Sequence, residues 1–146
     1  MKLSTKTRYG VRAMLDLALH QGEAPVPLKD IAERQQLSPA YLEQLVGHLI
    51  AAGLVRSVRG SKGGLSLAKA PRHIKLGEIY QALEGPTAPV ECVDDPGLCP
   101  RSQFCVTRDV WSEVKGALDV VLESRTLDDL VERERTKAFQ GTMYHI

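Results

Sequence analysis

Apolar residues in the first part of the chain recur at helical spacing in three segments separated by breaks. The first segment covers residues 4–22, with a serine or threonine cap at its start and a glycine at its end. A second, shorter segment begins near Leu28, and a third covers residues 38–53, where a capping serine is followed directly by proline. The apolar positions of the third segment fall at i, i+3, i+4 and i+7, namely Leu42, Leu45, Val46 and Leu49. Two short helices joined by a tight turn predict a helix-turn-helix.

A glycine-rich basic turn follows the third segment. Residues 54–58 and 65–68 have strand character, and residues 59–64 between them contain three glycines, one arginine and one lysine. This pattern predicts a β-hairpin, and a hairpin placed directly after a helix-turn-helix is a wing. We therefore predict a mainly α-helical fold with a small β-hairpin wing, in which residues 1–85 form a winged helix-turn-helix DNA-binding domain.

The second half of the chain begins with a long loop. Residues 86–105 contain four prolines and all three cysteines of the chain, and a loop of this length is usually functional or disordered. A long helix begins near Val106. A short final helix is expected to start at a capping-box-like pair, Thr126 and Asp129, and to end near Glu134. Residues 136–146 are predicted to form a flexible tail.

The long helix carries a wide apolar stripe. Its members are Val110, Val114, Ala117 and Val121, with Trp111, Leu118 and Leu122 alongside. On a helix that projects from a small head, such a stripe favours packing against a partner chain, so residues 106–135 are predicted to dimerise the protein. The alternative is a core helix of a single globule.

Charge and composition narrow the class of protein. Residues 1–85 hold twelve Lys and Arg against seven Asp and Glu, whereas the remaining residues hold seven against eleven. This asymmetry is typical of a DNA-binding head with a tail that does not touch DNA, although chance produces it too. The sequence has no signal-peptide pattern and no apolar window of membrane-spanning length, so we expect a cytoplasmic protein. No nucleophile-elbow, P-loop or paired-carboxylate pattern is present, which argues against an enzyme.

The outward positions of the third helix and of the wing are the candidate DNA contacts. Near the start of the helix, Gln44 has the groups to read adenine, Glu43 can accept from a cytosine amino group, and Tyr41 lies beside them. Ser38 and the free N–H groups of the helix start suit a phosphate. Arg59 on the wing suits a narrow minor groove. The expected phosphate contacts are Arg56, Ser61 and Lys62.

Several motifs of the chain resemble those of the IscR-like regulators. The first helix over 3–18, the Tyr-Leu-Glu-Gln-Leu motif at 41–45 and the Arg-Gly-Ser-Lys-Gly-Gly turn at 59–64 carry the likeness, which extends through the cysteines to 126–130. The resemblance implies a winged-helix homodimer that binds a palindromic operator in double-stranded DNA. It also implies control of iron–sulfur cluster assembly, of nitric-oxide or redox responses, or of cysteine metabolism.

The three cysteines are clustered and odd in number, which argues against a disulfide framework and favours a metal or redox site. The resemblance makes Cys92, Cys99 and Cys105 the ligands of an iron–sulfur cluster, with 2Fe–2S favoured over 4Fe–4S. It leaves the fourth ligand open, because Arg108 and Arg8 occupy the positions where relatives supply a histidine or a carboxylate. The remaining candidates are Glu91, Asp94, Asp95, Thr107 and an exogenous thiol.

Two other uses of the cysteines stay open. Two of them can form a reversible disulfide, which would make the loop a thiol switch. A zinc site is less favoured, because the C-x₂-C spacing typical of structural zinc sites is absent.

Overall fold

The computed structural model describes residues 1–144, and within them the fold is mainly helical with one two-stranded antiparallel hairpin, as predicted. The helices are α1 (Thr5–His20), α2 (Leu28–Gln35), α3 (Pro39–Ala51), α4 (Leu76–Leu83), α5 (Glu91–Asp94), α6 (Val106–Ser124) and α7 (Leu127–Tyr144). The strands are β1 (Val55–Val58) and β2 (Gly64–Leu67), and 3₁₀ turns cover Pro71–His73 and Pro96–Leu98. None of the helices in the described part of the chain combines the length and apolar character needed to cross a membrane.

Helices α2 and α3 form the predicted helix-turn-helix. Gln36 adopts a left-handed backbone conformation with φ of 56°, which ends α2 and turns the chain towards α3. Ser38 caps α3, since its Oγ accepts a hydrogen bond of 3.2 Å from the backbone N–H of Tyr41. The core that holds both helices against α1 includes Met14, Leu17, Ile31, Leu42, Val46 and Leu49.

The wing is attached to the head on its second strand. Within the hairpin, Val55 pairs with Leu67 and Val58 with Gly64. Val26, just before α2, exchanges two backbone hydrogen bonds of 2.7 and 2.8 Å with Leu65 of β2. Gly64 allows this close approach, because a Cβ at that position would lie 2.4 Å from the Val26 carbonyl oxygen. The sequence indicated only a turn over residues 23–27, and the structure makes that turn the anchor of the wing.

Helix α7 begins as predicted and ends much later. The backbone N–H of Thr126 donates to Asp129 Oδ2 at 2.8 Å, and the N–H of Asp129 donates to Thr126 Oγ1 at 3.2 Å, which is a reciprocal cap. Leu127 and Val131 are buried in the head. The prediction of a short final helix and a flexible tail over 136–146 is wrong up to Tyr144, because residues 132–140 are mostly strong helix formers that continue the helix. Residues 145–146 lie outside the described part.

The segment 86–105, which its prolines predicted to be an irregular loop, contains short helical elements. Helix α5 and the 3₁₀ turn at Pro96–Leu98 interrupt it, and Asp95 caps that turn by accepting from the N–H of Gly97 at 3.1 Å. Helix α6 follows, and Leu122 is its buried residue. Val110 and Val121 of the apolar stripe are about half exposed, at 50% and 52%. Part of the stripe is therefore uncovered in the single chain, while Leu122 is buried.

Candidate DNA-binding surface and cysteine loop

The first turns of α3 carry the residues that were predicted from the sequence to contact bases. Glu43 and Gln44 are exposed, Tyr41 is half-buried, and Leu42 and Leu45 point into the core. Within residues 1–144, neither Glu43 nor Gln44 forms a side-chain hydrogen bond or ion pair. Burial of the alternate face thus leaves two polar side chains at the helix start available to an external partner.

Helix α1 adds an aromatic and cationic edge to this surface, which was not among the predicted DNA contacts. The ring of Tyr41 packs edge-on against that of Tyr9, with centroids 6.2 Å apart. The guanidinium groups of Arg8 and Arg12 lie 5.9 and 5.2 Å from the centre of the Tyr9 ring. Arg12 also donates to the side chain and carbonyl of Gln35. Arg8 and Arg12 are four residues apart on one helix, which was the available signal.

The wing presents its polar residues outward. Arg56, Arg59, Ser61 and Lys62 are all exposed, whereas Leu65 is buried beneath them in the core. The tight tip of the hairpin requires glycine at position 63, because a Cβ there would lie 2.1 Å from the carbonyl oxygen of Val58. The wing follows α3 directly, and β1 packs on that helix. The predicted contacts of the wing therefore lie on the hairpin next to α3, the helix that carries the predicted base contacts.

A buried carboxylate sets the position of α2, and no pattern in the sequence indicates it. Asp16 of α1 is 2% exposed and accepts hydrogen bonds from both Arg34 Nη2, at 2.8 Å, and Arg34 Nε, at 3.0 Å. Gln35 Nε2 donates to the same carboxylate at 2.8 Å. Fork-like donation by arginine fixes geometry as well as charge. Asp16 thus holds the end of α2, and with it the turn into α3.

The three cysteines are free thiols of intermediate exposure. Cys92 lies in α5, Cys99 ends the 3₁₀ turn, and Cys105 precedes α6. The hydroxyl of Thr107 is 3.1 Å from Cys105 Sγ and lowers the pKa of that thiol. In the described part of the chain, no three His, Cys, Asp or Glu side chains are placed to hold a metal ion together. The loop brings the cysteines into one region without gathering their sulfur atoms.

The loop is tied to α6 at two points. Arg108 Nε donates to the carbonyl of Cys92 at 2.8 Å and Nη2 donates to that of Val93 at 3.3 Å. Near the start of the loop, Thr87 Oγ1 donates to Asp119 Oδ1 at 2.6 Å. Lys115, followed by Thr87, lowers the pKa of Asp119. Arg108 is therefore a structural clamp between α6 and the short helix that carries Cys92.

The donor set fits an iron–sulfur cluster in its chemistry. Thiolates are the standard protein ligands of such clusters, and three free thiols lie within residues 92–105. The fit does not extend to closed geometry, because the sulfur atoms do not converge. Binding a cluster here requires the loop to rearrange so that its three sulfur atoms come together.

A capped helix-turn-helix followed by an anchored hairpin defines the winged-helix class of DNA-binding proteins. A family model described as "Rrf2: Iron-dependent Transcriptional regulator" matches residues 3–133. The chain belongs to the Rrf2 family of transcription regulators.

Individual relatives agree with this assignment. The HTH-type transcriptional regulator IscR of Pectobacterium carotovorum is 42% identical over 92% of this chain and 81% of its own. Among solved structures, the IscR of T. potens superposes with a TM-score of 0.75 at 49% identity, over 92% of this chain and 88% of that one. CymR, described as the global cysteine regulator of B. subtilis, gives a TM-score of 0.76 at 44% identity, over 91% and 98%.

These relatives settle the class of protein and leave the signal open. The chain is a DNA-binding transcription regulator and not an enzyme. Two relatives of nearly equal similarity carry different printed names, IscR and CymR. Similarity alone therefore does not choose between regulators with different inputs.

Proposed function

We propose that the chain is a cytoplasmic, homodimeric regulator whose cysteine loop, residues 86–105, holds an iron–sulfur cluster of the 2Fe–2S type. The affinity of the dimer for a palindromic operator then depends on whether the cluster is bound, and genes of iron–sulfur cluster biogenesis are the expected targets. One observation carries the proposal: all three thiols of the chain are free and lie in a single loop between the winged head and α6.

The exposed side of α3 and the wing supply the DNA contacts in this proposal. Gln44 and Glu43 suit base edges in the major groove, and Arg59 suits the minor groove. Phosphate contacts come from Ser38, Arg56, Ser61 and Lys62 on these two elements. Tyr41 packs against Tyr9 of α1, and Arg8 and Arg12 beside Tyr9 extend the same surface onto α1.

The exposed stripe on α6 supports dimerisation. Val110, Trp111 and Val121 are exposed large apolar side chains of one helix in the single chain. Two copies of α6 packed along this stripe remove these side chains from water. A two-fold dimer of this kind sets two recognition helices about one helical turn of DNA apart, ~34 Å, which matches a palindromic operator.

The position of the loop supports a coupling between cluster binding and the spacing of the heads. It begins directly after α4 of the head, and the Arg108 and Thr87 contacts tie it to α6. Drawing the loop in around a cluster shifts these ties, and α6 moves relative to the head. Two states with different head spacing have different operator affinities, which is the linkage that a sensor needs.

Purification without oxygen tests the cofactor directly. We expect a coloured protein with thiolate-to-iron absorption and with iron and sulfide in equal amounts, and we expect Cys92→Ala to lose the colour. Ser124→Ala, an exposed change at the far end of α6, is the control and should keep it. A colourless wild-type protein without iron or sulfide, even after supply of both, would refute the cluster.

A thiol switch is the second candidate. It is favoured by the sulfur atoms being free, partly exposed and not gathered around a common point, and by the similarity to a protein described as a cysteine regulator. In that case the colourless protein forms an intramolecular disulfide under mild oxidation, which a thiol reductant reverses. Mass measurement of alkylated protein before and after oxidation distinguishes the two candidates.

A further inference from the structure

Ser102 is an unusual residue in the cysteine loop. It lies midway between Cys99 and Cys105 in sequence, and it is only 6% exposed. Its Oγ is shielded from solvent and has no hydrogen-bond partner among the described residues. The backbone N–H of Ser102 donates a hydrogen bond of 3.1 Å to the carbonyl of Cys99, and this bond holds the residue in the turn.

Apolar packing does not explain the turn around Ser102, because the turn buries a polar side chain and exposes an apolar one. Phe104, two residues later, is 88% exposed, while the serine is inside. A buried hydroxyl without a partner is unfavourable, and such groups are rare unless a ligand, an ion or a water completes them. The arrangement is explained if the hydroxyl has a partner that binds in this loop.

The surroundings of Ser102 point to the cysteines. Ser102 and Cys99 line the same cavity of about 380 Å³. Cys105 lines a neighbouring cavity of about 390 Å³, and Pro100 belongs to both. A group held by Cys99 and Cys105 together must span this turn, and Ser102 is the buried polar side chain within it.

Iron–sulfur clusters are generally held by four protein ligands, and this chain has three cysteines. Arg108 is tied to two carbonyl groups and is cationic, so it is no ligand. The hydroxyl of Thr107 is on an exposed side chain and already contacts Cys105 Sγ. The carboxylates of Glu91 and Asp94 are exposed to water. Ser102 is the buried polar side chain whose bonding capacity is unused.

We infer that Ser102 Oγ is the fourth ligand of the cluster, beside Cys92, Cys99 and Cys105. The oxygen binds iron as an alkoxide, and its proton passes to solvent. This assignment rests on the proposed function, and it makes the site one of three sulfur ligands and one oxygen ligand.

The test compares wild-type protein with Ser102→Ala, Ser102→Cys and Thr107→Val, each reconstituted with iron and sulfide without oxygen. We expect Ser102→Ala to lose its cluster to a chelator at least about tenfold faster than wild type. Ser102→Cys should retain the cluster, with visible and electron paramagnetic resonance spectra changed to those of an all-thiolate site. Thr107→Val, the matched hydroxyl deletion, should behave as wild type.

Thermal unfolding of the cluster-free proteins separates a ligand from a structural residue. Because the Ser102 hydroxyl is unpaired in the cluster-free chain, Ser102→Ala should unfold at the same or a higher temperature than wild type. A lower unfolding temperature without cluster would assign Ser102 a structural role and overturn the inference.

The outcomes separate this inference from the proposed function. If the wild type binds no cluster, both are overturned. If the wild type binds a cluster that Ser102→Ala holds equally long, with an unchanged spectrum in Ser102→Cys, only the ligand assignment is overturned. Cluster loss in Thr107→Val but not in Ser102→Ala also overturns it.

Discussion

Single side chains at the surface carry the specificity of the proposed DNA interface. Arg59 and Lys62 both lie exposed on the wing, and both are unpaired within the described residues. Their chemistry differs, because a guanidinium can be held in a narrow minor groove whereas an ammonium on a flexible stem acts as a point charge for a phosphate. Replacement of Arg59 and replacement of Lys62 should therefore change DNA binding in different ways.

We predict that Arg59→Ala weakens binding to a preferred duplex by about 1–3 kcal/mol and reduces discrimination among sequences. Lys62→Ala should weaken binding to all duplexes alike and lower the slope of log affinity against log salt by about one. Fluorescence anisotropy across a salt series measures both effects. Arg133→Ala, on α7, is the control; an Arg59→Ala protein that binds like it would remove Arg59 from the interface.

Glu84 joins the end of α4 to the start of α1. The hydroxyls of Ser4 and Thr7 both donate to its carboxylate, and these hydrogen bonds, that of Ser4 first, lower the pKa of Glu84 below its ordinary value of 4.5. A carboxylate whose pKa is lowered by folding adds stability above its unfolded pKa, and this contribution is lost as pH falls through the folded pKa.

We therefore expect Glu84→Gln to lower the free energy of unfolding by about 1 kcal/mol at pH 7. The gap to wild type should narrow as pH drops below 4.5, where the unfolded wild-type chain takes up a proton. Urea unfolding at several pH values between 7 and 3 measures it. A gap that stays constant over this range would show that the hydrogen bonds do not depend on the charge of Glu84.

Local signals predicted some of these residues and long-range contacts determined the others. Ser38 and the pair Thr126 and Asp129 were predictable, because a cap acts on its own helix within three residues. The burial of Asp16 was not, since Arg34 lies 18 residues away in sequence. The partnerless Ser102 was also invisible in the sequence, where a serine in a loop reads as a solvated residue.

At the scale of elements, the wing depends on the segment before α2. The hydrogen bonds between Val26 and Leu65 fix β2 to the head, and they require glycine at position 64. The sequence predicted the hairpin correctly from its glycines and strand residues. It could not predict the attachment, because nothing in residues 23–27 marks that segment as a third strand partner.

We predict that Gly64→Ala forces β2 away from Val26 and destabilises the protein by about 1–3 kcal/mol. DNA affinity should fall with it, since the wing loses its fixed position. Gly22→Ala is the control, because a Cβ at Gly22 has no neighbour within 4 Å. Thermal unfolding and anisotropy measure the two effects, and a Gly64→Ala protein as stable as Gly22→Ala would contradict this account of the wing.

Helix lengths show the same division between local and distant causes. Helices α1 and α3 end two residues before Gly22 and Gly53, the glycines that close the predicted segments, while α7 continues past the predicted end at Glu134. The last three turns of α7 bury no side chain up to residue 143, so helix propensity and an Arg135–Glu132 pair sustain them. A burial pattern was therefore a poor guide to where this helix ends.

At the scale of the whole molecule, α6 is the expected link between two chains. We predict that Val110→Lys, on the stripe, converts the protein from dimer to monomer without unfolding the head, because a charge placed in a packed interface is not paired. Val120→Lys, at a 68% exposed position of the same helix outside the stripe, is the matched control and should stay dimeric. Sedimentation velocity measures the mass; equal masses for the two variants would contradict a dimer built on this stripe.

DNA affinity with and without the cluster, measured on one preparation, shows directly whether the cysteine loop controls operator binding. Duplexes are first selected from a randomised pool by the loaded and by the cluster-free protein, and each form is then titrated on both sets without oxygen. We predict a difference in affinity of about fivefold or more on one set, which is the range of ordinary allosteric coupling. Equal affinities of the two forms on every selected duplex would contradict it, and would leave a DNA-binding regulator whose cysteine loop does not control its operator.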